Sequence, residues 1–570
     1  MTLLFGACTG TYQVREESRL NPNTAQAVFA QKDRWVDRTL SGMTLSEKVG
    51  QMIVASIEGQ YRGNNDKEFL KISRLTEEGK IGGIMFLKGD VMGAGMLANH
   101  FQSVSKVPLL VSADMEKGVA MRLEGATEFA PAMAVAATGD STLAQAMSAV
   151  IAREARAVGI SQDYAPSADL NINPANPVIN TRSFGDRIPL VIDMSSAVID
   201  GLQSNGVAAT VKHFPGHGDV TVDSHKALPI LEGDRQRLDQ YELKPFRAAI
   251  DRGVMSVMVG HLAVPKLTGS LEPASLSKTI VTDLLRKELG FTGVIVTDAM
   301  NMKALYNGSN LAEISVKAVQ AGNDILLFPP DPELMHDAVV TAVEQGTISE
   351  SRIDDSVRRI LKLKRWLGLD RNKLSDLTRL QEKVRQPESL QLADKITRNS
   401  VTIIRDRNHL VPLRLPLNGQ VLNIVLQDRQ REENSRPFAE MLGRNHTVLQ
   451  FRLTPSSNEQ TIQEVANLAA GASAVIITTE VQATNNSILS KLSDRQIDFV
   501  HTLPSRLPLG TPVILISFGP PYLLDEFTEI GTAICAYSSS QQAEEAVVQV
   551  LNGEIPPAGI LPVTLRASQP

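Results

Sequence analysis

Histidine and aspartate side chains are concentrated in one short segment of this 570-residue chain, residues 212–225. The segment contains Lys212-His213-Phe214-Pro215-Gly216-His217-Gly218-Asp219 and, shortly after, Asp223-Ser224-His225-Lys226. Burying so many titratable groups is costly unless they are used, so a purely structural loop is the least favoured of three interpretations. The composition of the segment predicts either a metal site or acid–base chemistry.

Both kinds of chemistry fit the residue types. His213, His217, Asp219 and His225 are side chains that zinc or iron accepts as ligands. Alternatively, Asp223 and His225 are two residues apart, so an extended backbone would put both side chains on one side. A carboxylate beside an imidazole fixes its tautomer and raises its basicity, which suits proton transfer near neutral pH. Local spacing leaves both interpretations open.

The element that positions this segment is the apolar run Val207–Val211, which predicts a buried parallel strand. A loop is predicted from Lys212 onward, because Pro215, Gly216 and Gly218 disfavour a helix and allow tight turns. The polar cluster then lies at the C-terminal end of a strand, where α/β folds place their chemistry.

Similar apolar runs alternate with helix-like stretches through the first 330 residues, which predicts repeated βαβ units. At least seven units fit a (β/α)₈ TIM-type barrel. A capped helix start is predicted at Thr44, with Glu47 at the third helical position. Polar residues follow several of these apolar runs, each at the end of its run. A role as a helix N-cap would explain one such residue, but it does not explain all of them. These residues are Asp114, Glu116, Lys212, His213, His261 and Asp298.

A second set of apolar runs begins near residue 396 and predicts a smaller α/β sandwich domain with a doubly wound sheet. It shows no catalytic constellation and no phosphate-binding glycine loop. The predicted domains are a signal remnant and flexible tether (1–30), the catalytic barrel (31–368), a helical linker (369–395) and the C-terminal α/β domain (396–570).

The overall composition is that of an ordinary globular protein, with 43% hydrophobic and 21% charged residues. The net charge of −6 argues against nucleic acid as a partner. Leu3–Cys8 resembles the end of a bacterial lipoprotein signal but lacks its basic start, so Cys8 is either a lipid attachment point or incidental. Lipidation would make the protein extracytoplasmic and membrane-attached, while a cytoplasmic location is the alternative.

The segment from Lys212 to His225 strongly resembles the glycoside hydrolase family 3 β-N-acetylhexosaminidases, in their bacterial two-domain form. Other segments agree with this family in order and spacing, so that the resemblance covers residues from about 40 to 566. These segments are Asp114-Met115-Glu116-Lys117-Gly118 with Arg122-Leu123, Asn176–Gly185, Thr297–Ala304 and Gly559–Leu565.

The resemblance implies roles for individual residues. Asp298 matches the catalytic nucleophile, His225 the general acid/base and Asp223 its dyad partner. The residues that match the family's contacts to sugar hydroxyls are Asp114, Arg122, Arg182, Lys212 and His213. The family needs no metal or cofactor, which favours acid–base chemistry over a metal site. One departure is Lys117, which stands where the family usually has glycine.

The implied activity is that of a retaining exo-β-N-acetylglucosaminidase, acting as a monomer through a covalent glycosyl-enzyme intermediate. Peptidoglycan fragments in cell-wall recycling, or chitooligosaccharides, are the implied substrates. The alternatives are a β-N-acetylglucosaminide phosphorylase, since a neutral dyad repels phosphate less than a glutamate would, and a family 3 β-glucosidase, whose acid is a glutamate of the second domain. Alternatives of another class are a metal-dependent hydrolase and a non-catalytic sugar-binding lipoprotein.

Overall fold

The computed structural model describes residues 24–306, 308–416, 419–428, 437–480 and 492–565. These residues form a nearly closed parallel barrel and a second α/β domain, so the predicted fold class is confirmed. Most of the predicted tether, including Cys8, lies outside the described residues. Its last part, Ala25–Ala30, is a helix that packs on the barrel.

Eight parallel strands build the barrel, in the order β8-β7-β6-β5-β3-β2-β1-β9, and the two-residue β4 pairs with β2 beside this path. A bridge between Val296 and Ile325 brings the first and last strands together. The strands are β1 (Ile53–Gly59), β2 (Gly83–Asp90), β3 (Leu110–Ala113), β4 (Leu123–Glu124), β5 (Gln162–Asp163), β6 (Ala208–Phe214), β7 (Ser256–Val259), β8 (Val294–Thr297) and β9 (Leu326–Leu327).

Helices surround the barrel strands and bury their apolar faces against them. The predicted capping box at Thr44 and Glu47 is present at the start of α3. The α-helices are α1 (Ala25–Ala30), α2 (Arg34–Ser41), α3 (Leu45–Gln51), α4 (Lys67–Glu77), α5 (Val91–Val104), α6 (Ala132–Ala137), α7 (Ser141–Val158), α8 (Ile188–Ser204), α9 (Arg235–Gln240), α10 (Leu243–Arg252), α11 (Pro265–Thr268), α12 (Leu311–Ala321), α13 (Pro332–Glu344) and α14 (Glu350–Trp366), and a π-helix, Thr279–Glu288, precedes β8. None of the described helices is long and apolar enough to cross a membrane.

The strand that carries the polar cluster is longer than predicted. β6 continues through Lys212 and His213 to Phe214, so the expectation that the loop begins at Lys212 was wrong. In the sequence, Lys212 marks the end of the hydrophobic run, because a charged residue usually ends a buried strand. In the barrel, the carboxylates of Asp114 and Glu116 lie 2.8 Å from the Lys212 ammonium and compensate its charge. The side chains of Lys212 and His213 are therefore held by regular strand structure rather than by a loop.

The second domain contains a six-stranded sheet in the order β10-β15-β14-β13-β11-β12. Its five parallel strands have the doubly wound arrangement, and β10 joins antiparallel at one edge. The strands are β10 (Thr402–Asp406), β11 (Gln420–Gln427), β12 (Thr447–Leu453), β13 (Ala474–Glu480), β14 (Val513–Ser517) and β15 (Thr532–Cys535). The helices are α15 (Pro387–Ser400), α16 (Pro437–Leu442), α17 (Glu459–Ala470), α18 (Asp494–Arg506) and α19 (Gln541–Asn552).

The two domains are joined by polar contacts, one of them buried, as well as by the chain itself. Asn171 Nδ2 of the barrel donates to the Tyr522 hydroxyl at 2.5 Å, and the Thr564 amide donates to Asp186 at 2.6 Å. The helix α15 also packs against α6 and α7 of the barrel. The C-terminal segment thereby runs back onto the barrel and fixes the second domain beside its mouth.

Candidate active site

The C-terminal ends of the barrel strands surround a cavity of about 310 Å³, a size typical of a small-ligand site. Seven of the eight residues singled out from the sequence line it: Asp114, Arg122, Arg182, Lys212, His213, His225 and Asp298. The eighth, Asp223, lies directly behind His225. Side chains separated by up to 184 positions, from Asp114 to Asp298, therefore meet in one place because each follows or ends a barrel strand.

His225 and Asp223 form a hydrogen-bonded pair in the loop after β6. His225 Nδ1 lies 2.8 Å from Asp223 Oδ1, and the His225 amide donates to the same oxygen at 2.9 Å. A carboxylate at Nδ1 holds the proton there and leaves Nε2 as the nitrogen that exchanges protons. The imidazole side chain is 63% exposed, whereas the Asp223 side chain is 2% exposed. The dyad thus pairs an accessible imidazole with a buried carboxylate that fixes its orientation.

Asp298 follows β8 and presents an ionised carboxylate to the same cavity. Its Oδ1 accepts the Ala299 amide at 2.8 Å. Burial raises the pKa of this carboxyl, but His213, His261 and the Ala299 amide outweigh burial and lower the pKa to about 2. Asp298 is therefore an anion near neutral pH, the state in which a carboxylate can act as a nucleophile.

Asp114 is held between two cations at the end of β3. Its Oδ1 accepts from Lys212 Nζ at 2.8 Å, and its Oδ2 accepts from Arg122 Nη2 at 2.6 Å. Burial acts to raise the pKa of Asp114, but the two cations keep it below its usual value. Such charge-assisted contacts fix the directions of donors and acceptors, which is what recognition of sugar hydroxyls requires.

Glu116 extends this network, although sequence reasoning treated it only as one of several polar residues after strands. Its carboxylate accepts from Arg182 Nη2 at 2.7 Å and lies 2.8 Å from Lys212 Nζ. Burial would raise the pKa of Glu116, but Arg182 and Lys212 hold it well below the ordinary range. Arg182 and Lys212 are therefore oriented by one shared carboxylate.

Asp169 is a site residue that the sequence did not reveal. This fully buried carboxylate lies 2.7 Å from His213 Nδ1 and accepts the His217 amide at 2.6 Å. It reaches them because Ser167 bridges to Lys212 alongside β6. No local signal pointed to it, since β5, the strand that precedes it, is not apparent in the sequence and 44 positions separate Asp169 from His213.

The four side chains of the metal-site interpretation do not converge. Asp219 pairs with Arg237 at 3.0 Å, His213 with Asp169 and His225 with Asp223, while His217 Nε2 lies 3.2 Å from the Ser224 hydroxyl. Across the described ranges, no group of three His, Cys, Asp or Glu side chains is arranged to hold a metal ion. Each potential ligand is instead committed to a different partner.

A second cavity, of about 500 Å³, adjoins the first and shares Glu116, Met121 and Arg182 with it. Its opposite wall comes from the second domain, through residues 518–520 and 537–539. No described residue of the second domain lines the first cavity. In the part of the chain that the structure describes, the barrel supplies every side chain around Asp298, and the second domain only borders the neighbouring space.

Comparison with known proteins agrees with this architecture. The model of the glycosyl hydrolase family 3 N terminal domain matches residues 44–363. A β-N-acetylglucosaminidase/β-glucosidase of Cellulomonas fimi is 30% identical over 94% of this chain and 96% of its own length. A family 3 β-N-acetylglucosaminidase structure from Paenibacillus sp. str. FPU-7 superimposes with a TM-score of 0.80 at 32% identity, covering 92% of this chain and 99% of that one. A β-glucoside phosphorylase superimposes with a TM-score of 0.83 at 26% identity, covering 94% and 96%.

Proposed function

The chain belongs to glycoside hydrolase family 3, and on this premise we propose that it is a retaining exo-β-N-acetylglucosaminidase. The substrates proposed are oligosaccharides with a terminal β-linked N-acetylglucosamine, in the first place peptidoglycan fragments and otherwise chitooligosaccharides. The observation that carries the proposal is the His225–Asp223 dyad, which faces the same cavity as the ionised Asp298. The Paenibacillus relative, a β-N-acetylglucosaminidase, supports the N-acetylglucosamine specificity, and the Cellulomonas fimi relative supports it together with β-glucosidase activity.

The dyad and Asp298 divide the proposed reaction into two steps. First, an Asp298 oxygen bonds to the anomeric carbon as the bond to the leaving oxygen breaks, and His225 Nε2 gives its proton to that oxygen. Water then attacks the anomeric carbon, loses a proton to His225 and releases Asp298. Two successive inversions retain the β configuration.

Binding of the sugar is assigned to the charged network around Lys212. Asp114, Arg122, Lys212 and Arg182 offer anchored donors and acceptors at one side of the cavity. Hydroxyl groups of a sugar ring can take up hydrogen bonds in these directions without reorganisation of the protein. The ring is thereby oriented with its anomeric carbon toward Asp298 and His225.

Phosphorolysis is a second candidate, because the acid/base at this site is an imidazole rather than a carboxylate. A carboxylate repels an incoming phosphate, whereas a neutral imidazole does not. The similar β-glucoside phosphorylase structure supports the comparison. In this variant of the reaction, phosphate replaces water in the second step and the product is a sugar 1-phosphate.

The proposal is tested by measuring initial rates on aryl β-N-acetylglucosaminide and aryl β-glucoside, and by following the first-formed product by proton NMR. We expect the N-acetyl substrate to be preferred and the β anomer to appear first. Preference for the glucoside, or first formation of the α anomer, would contradict the proposal. The same assay in phosphate buffer decides the second candidate, since accumulation of N-acetylglucosamine 1-phosphate indicates a phosphorylase and its absence a hydrolase.

A further inference from the structure

The bottom of the barrel, meaning the end at which its strands begin, has a cavity of about 420 Å³ remote from the catalytic residues. Its lining includes Arg153 and Arg156 of α7, and Lys373 and Lys383 of the segment between α14 and α15. We call the space between these four cations the basic cavity. It lies where α7 ends and β5 begins, at the opposite end of the strands from Asp298.

Within the described part of the protein, the cations of the basic cavity form no ion pair, and the only carboxylate that acts on one of them is Asp376, which interacts electrostatically with Lys383. Arg153 donates to the Ser389 hydroxyl at 2.7 Å and Lys373 to the Ser105 carbonyl at 2.9 Å, and both acceptors are neutral. Asp376 is the one carboxylate among the described lining residues, and its Oδ1 accepts from the Thr378 hydroxyl at 2.6 Å. No described carboxylate forms an ion pair with any of the four cations.

This lack of partners stands out in a chain whose net charge is −6. Other cations near the bottom of the barrel are paired, for example Arg252 with Asp200 and Lys48 with Glu350. Burial lowers the pKa of Lys373 because no carboxylate offsets its desolvation. An anionic group entering the basic cavity would supply the missing compensation.

The start of the described chain lies at the same end of the barrel. The Ala25 amide donates to the Gly253 carbonyl at 3.1 Å, and Gln203 Nε2 donates to that carbonyl at 3.1 Å. Gln203 is in the last turn of α8, and Asn205, directly after α8, lines the basic cavity. Residues two positions apart in a helix are separated by only about 3 Å along the helix axis. The start of the described chain therefore lies at the same end of the barrel as the basic cavity.

We propose that the basic cavity docks the protein on a membrane surface that carries anionic phospholipid headgroups. A lipid on Cys8, the attachment point predicted from the sequence, would add a second attachment to the same membrane. A basic patch and one lipid anchor together give stable attachment where either alone is marginal. The catalytic cavity at the opposite end would face away from the membrane and stay open to soluble oligosaccharides.

Vesicle flotation of the full-length Cys8→Ser protein tests the basic cavity without any contribution from a lipid on Cys8. We expect binding to phosphatidylcholine vesicles that contain phosphatidylglycerol and none to pure phosphatidylcholine. Binding should be lost as salt rises from about 0.1 M to about 1 M, because screening shortens the reach of the charges. Replacing Arg153, Arg156 and Lys383 by glutamine should weaken binding by on the order of 100-fold, since each basic residue near an anionic surface contributes about fivefold.

The matched control replaces Lys278, Lys317 and Lys395 by glutamine, which removes the same charge from exposed positions outside the basic cavity. This control should bind vesicles like the parent protein. Both triple variants should hydrolyse the aryl substrate at the parent rate, which shows that they are folded. Binding that ignores phosphatidylglycerol, or that falls equally in both triple variants, would overturn the proposal.

Discussion

His225 Nδ1 lies 2.8 Å from Asp223 Oδ1, and the two side chains differ sharply in exposure, 63% against 2%. The imidazole can therefore meet a substrate while its orientation and tautomer are fixed from inside the protein. The other carboxylate oxygen, Oδ2, is buried and has no hydrogen-bond partner among the residues that the structure describes. Among the described residues, both hydrogen bonds of the Asp223 carboxylate thus go to His225, one to its amide and one to its imidazole.

We predict that Asp223→Asn lowers kcat/KM by on the order of 100-fold on an aryl N-acetylglucosaminide whose leaving group needs a proton, the scale of one acid–base contribution. The amide keeps the shape of the carboxylate but no longer stabilises a protonated imidazole. Steady-state kinetics across the pH range measure the effect. The control is Asp219→Asn in the same loop, which contacts Arg237 rather than His225 and should leave kcat/KM within about twofold. Equal rates for both variants would remove the dyad from the mechanism.

Glu116→Gln is expected to impair substrate binding more than the chemical step. The substitution weakens the contacts that orient Arg182 and Lys212, which lie 2.7 and 2.8 Å from the carboxylate. Losing a charged hydrogen bond costs about 1.5–3 kcal/mol, so KM should rise about tenfold or more with a smaller change in kcat. The comparison is Glu128→Gln, whose carboxylate is half exposed and pairs with Lys117 outside the first cavity. A fall in kcat at unchanged KM would assign Glu116 another role.

Asp163 should make the protein less stable as pH rises. Burial raises the pKa of its carboxyl to about 8, more than the Met115 amide and Lys212 lower it. Between about pH 4 and pH 8 the folded state therefore holds a proton that the unfolded state has lost, and the free energy of unfolding falls with increasing pH. Asp163→Asn mimics the protonated form and should be more stable near pH 8 by on the order of 2 kcal/mol, with a smaller gain near pH 5.

Urea unfolding of wild type and Asp163→Asn at these two pH values measures this difference. The exposed Asp251, on α10, provides the control substitution Asp251→Asn, which should change the free energy of unfolding little at either pH. A gain in Asp163→Asn that is independent of pH would show that the carboxyl is ionised in the folded protein.

Lys364 should make the protein more stable as pH rises, which is the opposite of the effect of Asp163. Its ammonium is buried at the bottom of the barrel, where Nζ donates to Gln51 Oε1 at 2.6 Å and to the Gly82 carbonyl at 2.9 Å. Burial lowers its pKa to about 7, so between about pH 7 and pH 10 the unfolded state binds the extra proton and stability rises with pH. Lys364→Met should flatten this rise in urea unfolding, whereas Lys317→Met, at an exposed site, should preserve it. A rise that persists in Lys364→Met would locate the titration elsewhere.

The sequence predicted those parts of the fold that depend on local apolar runs. Seven barrel strands were found in this way, whereas β5 was missed because its two residues, Gln162 and Asp163, are polar. The edge strand β12 was missed because its side chains alternate between exposed and half-buried positions. Strands of this kind are stabilised by their neighbours in the sheet, which a local pattern does not contain.

The candidate site was predictable where its residues fall in recognisable segments, and not where a contact joins distant ones. His225, Asp223 and Asp298 were proposed from their segments, and the structure brings them to one cavity. Asp169 was not proposed, because its contact with His213 spans 44 positions and depends on the chain running beside β6. Contacts of this kind, between residues that are distant in the sequence, arise only from tertiary packing.

The most direct test of the account is the effect of His225→Ala on two aryl N-acetylglucosaminides whose leaving groups differ in acidity. A good leaving group departs without a proton, so its kcat/KM should fall little, whereas the poor one should lose about 100-fold or more. Asp298→Asn should abolish turnover of both substrates, because neither can proceed without the nucleophile. If His225→Ala lowers kcat/KM equally for both substrates, or leaves both unchanged, His225 is not the acid/base and the central assignment fails.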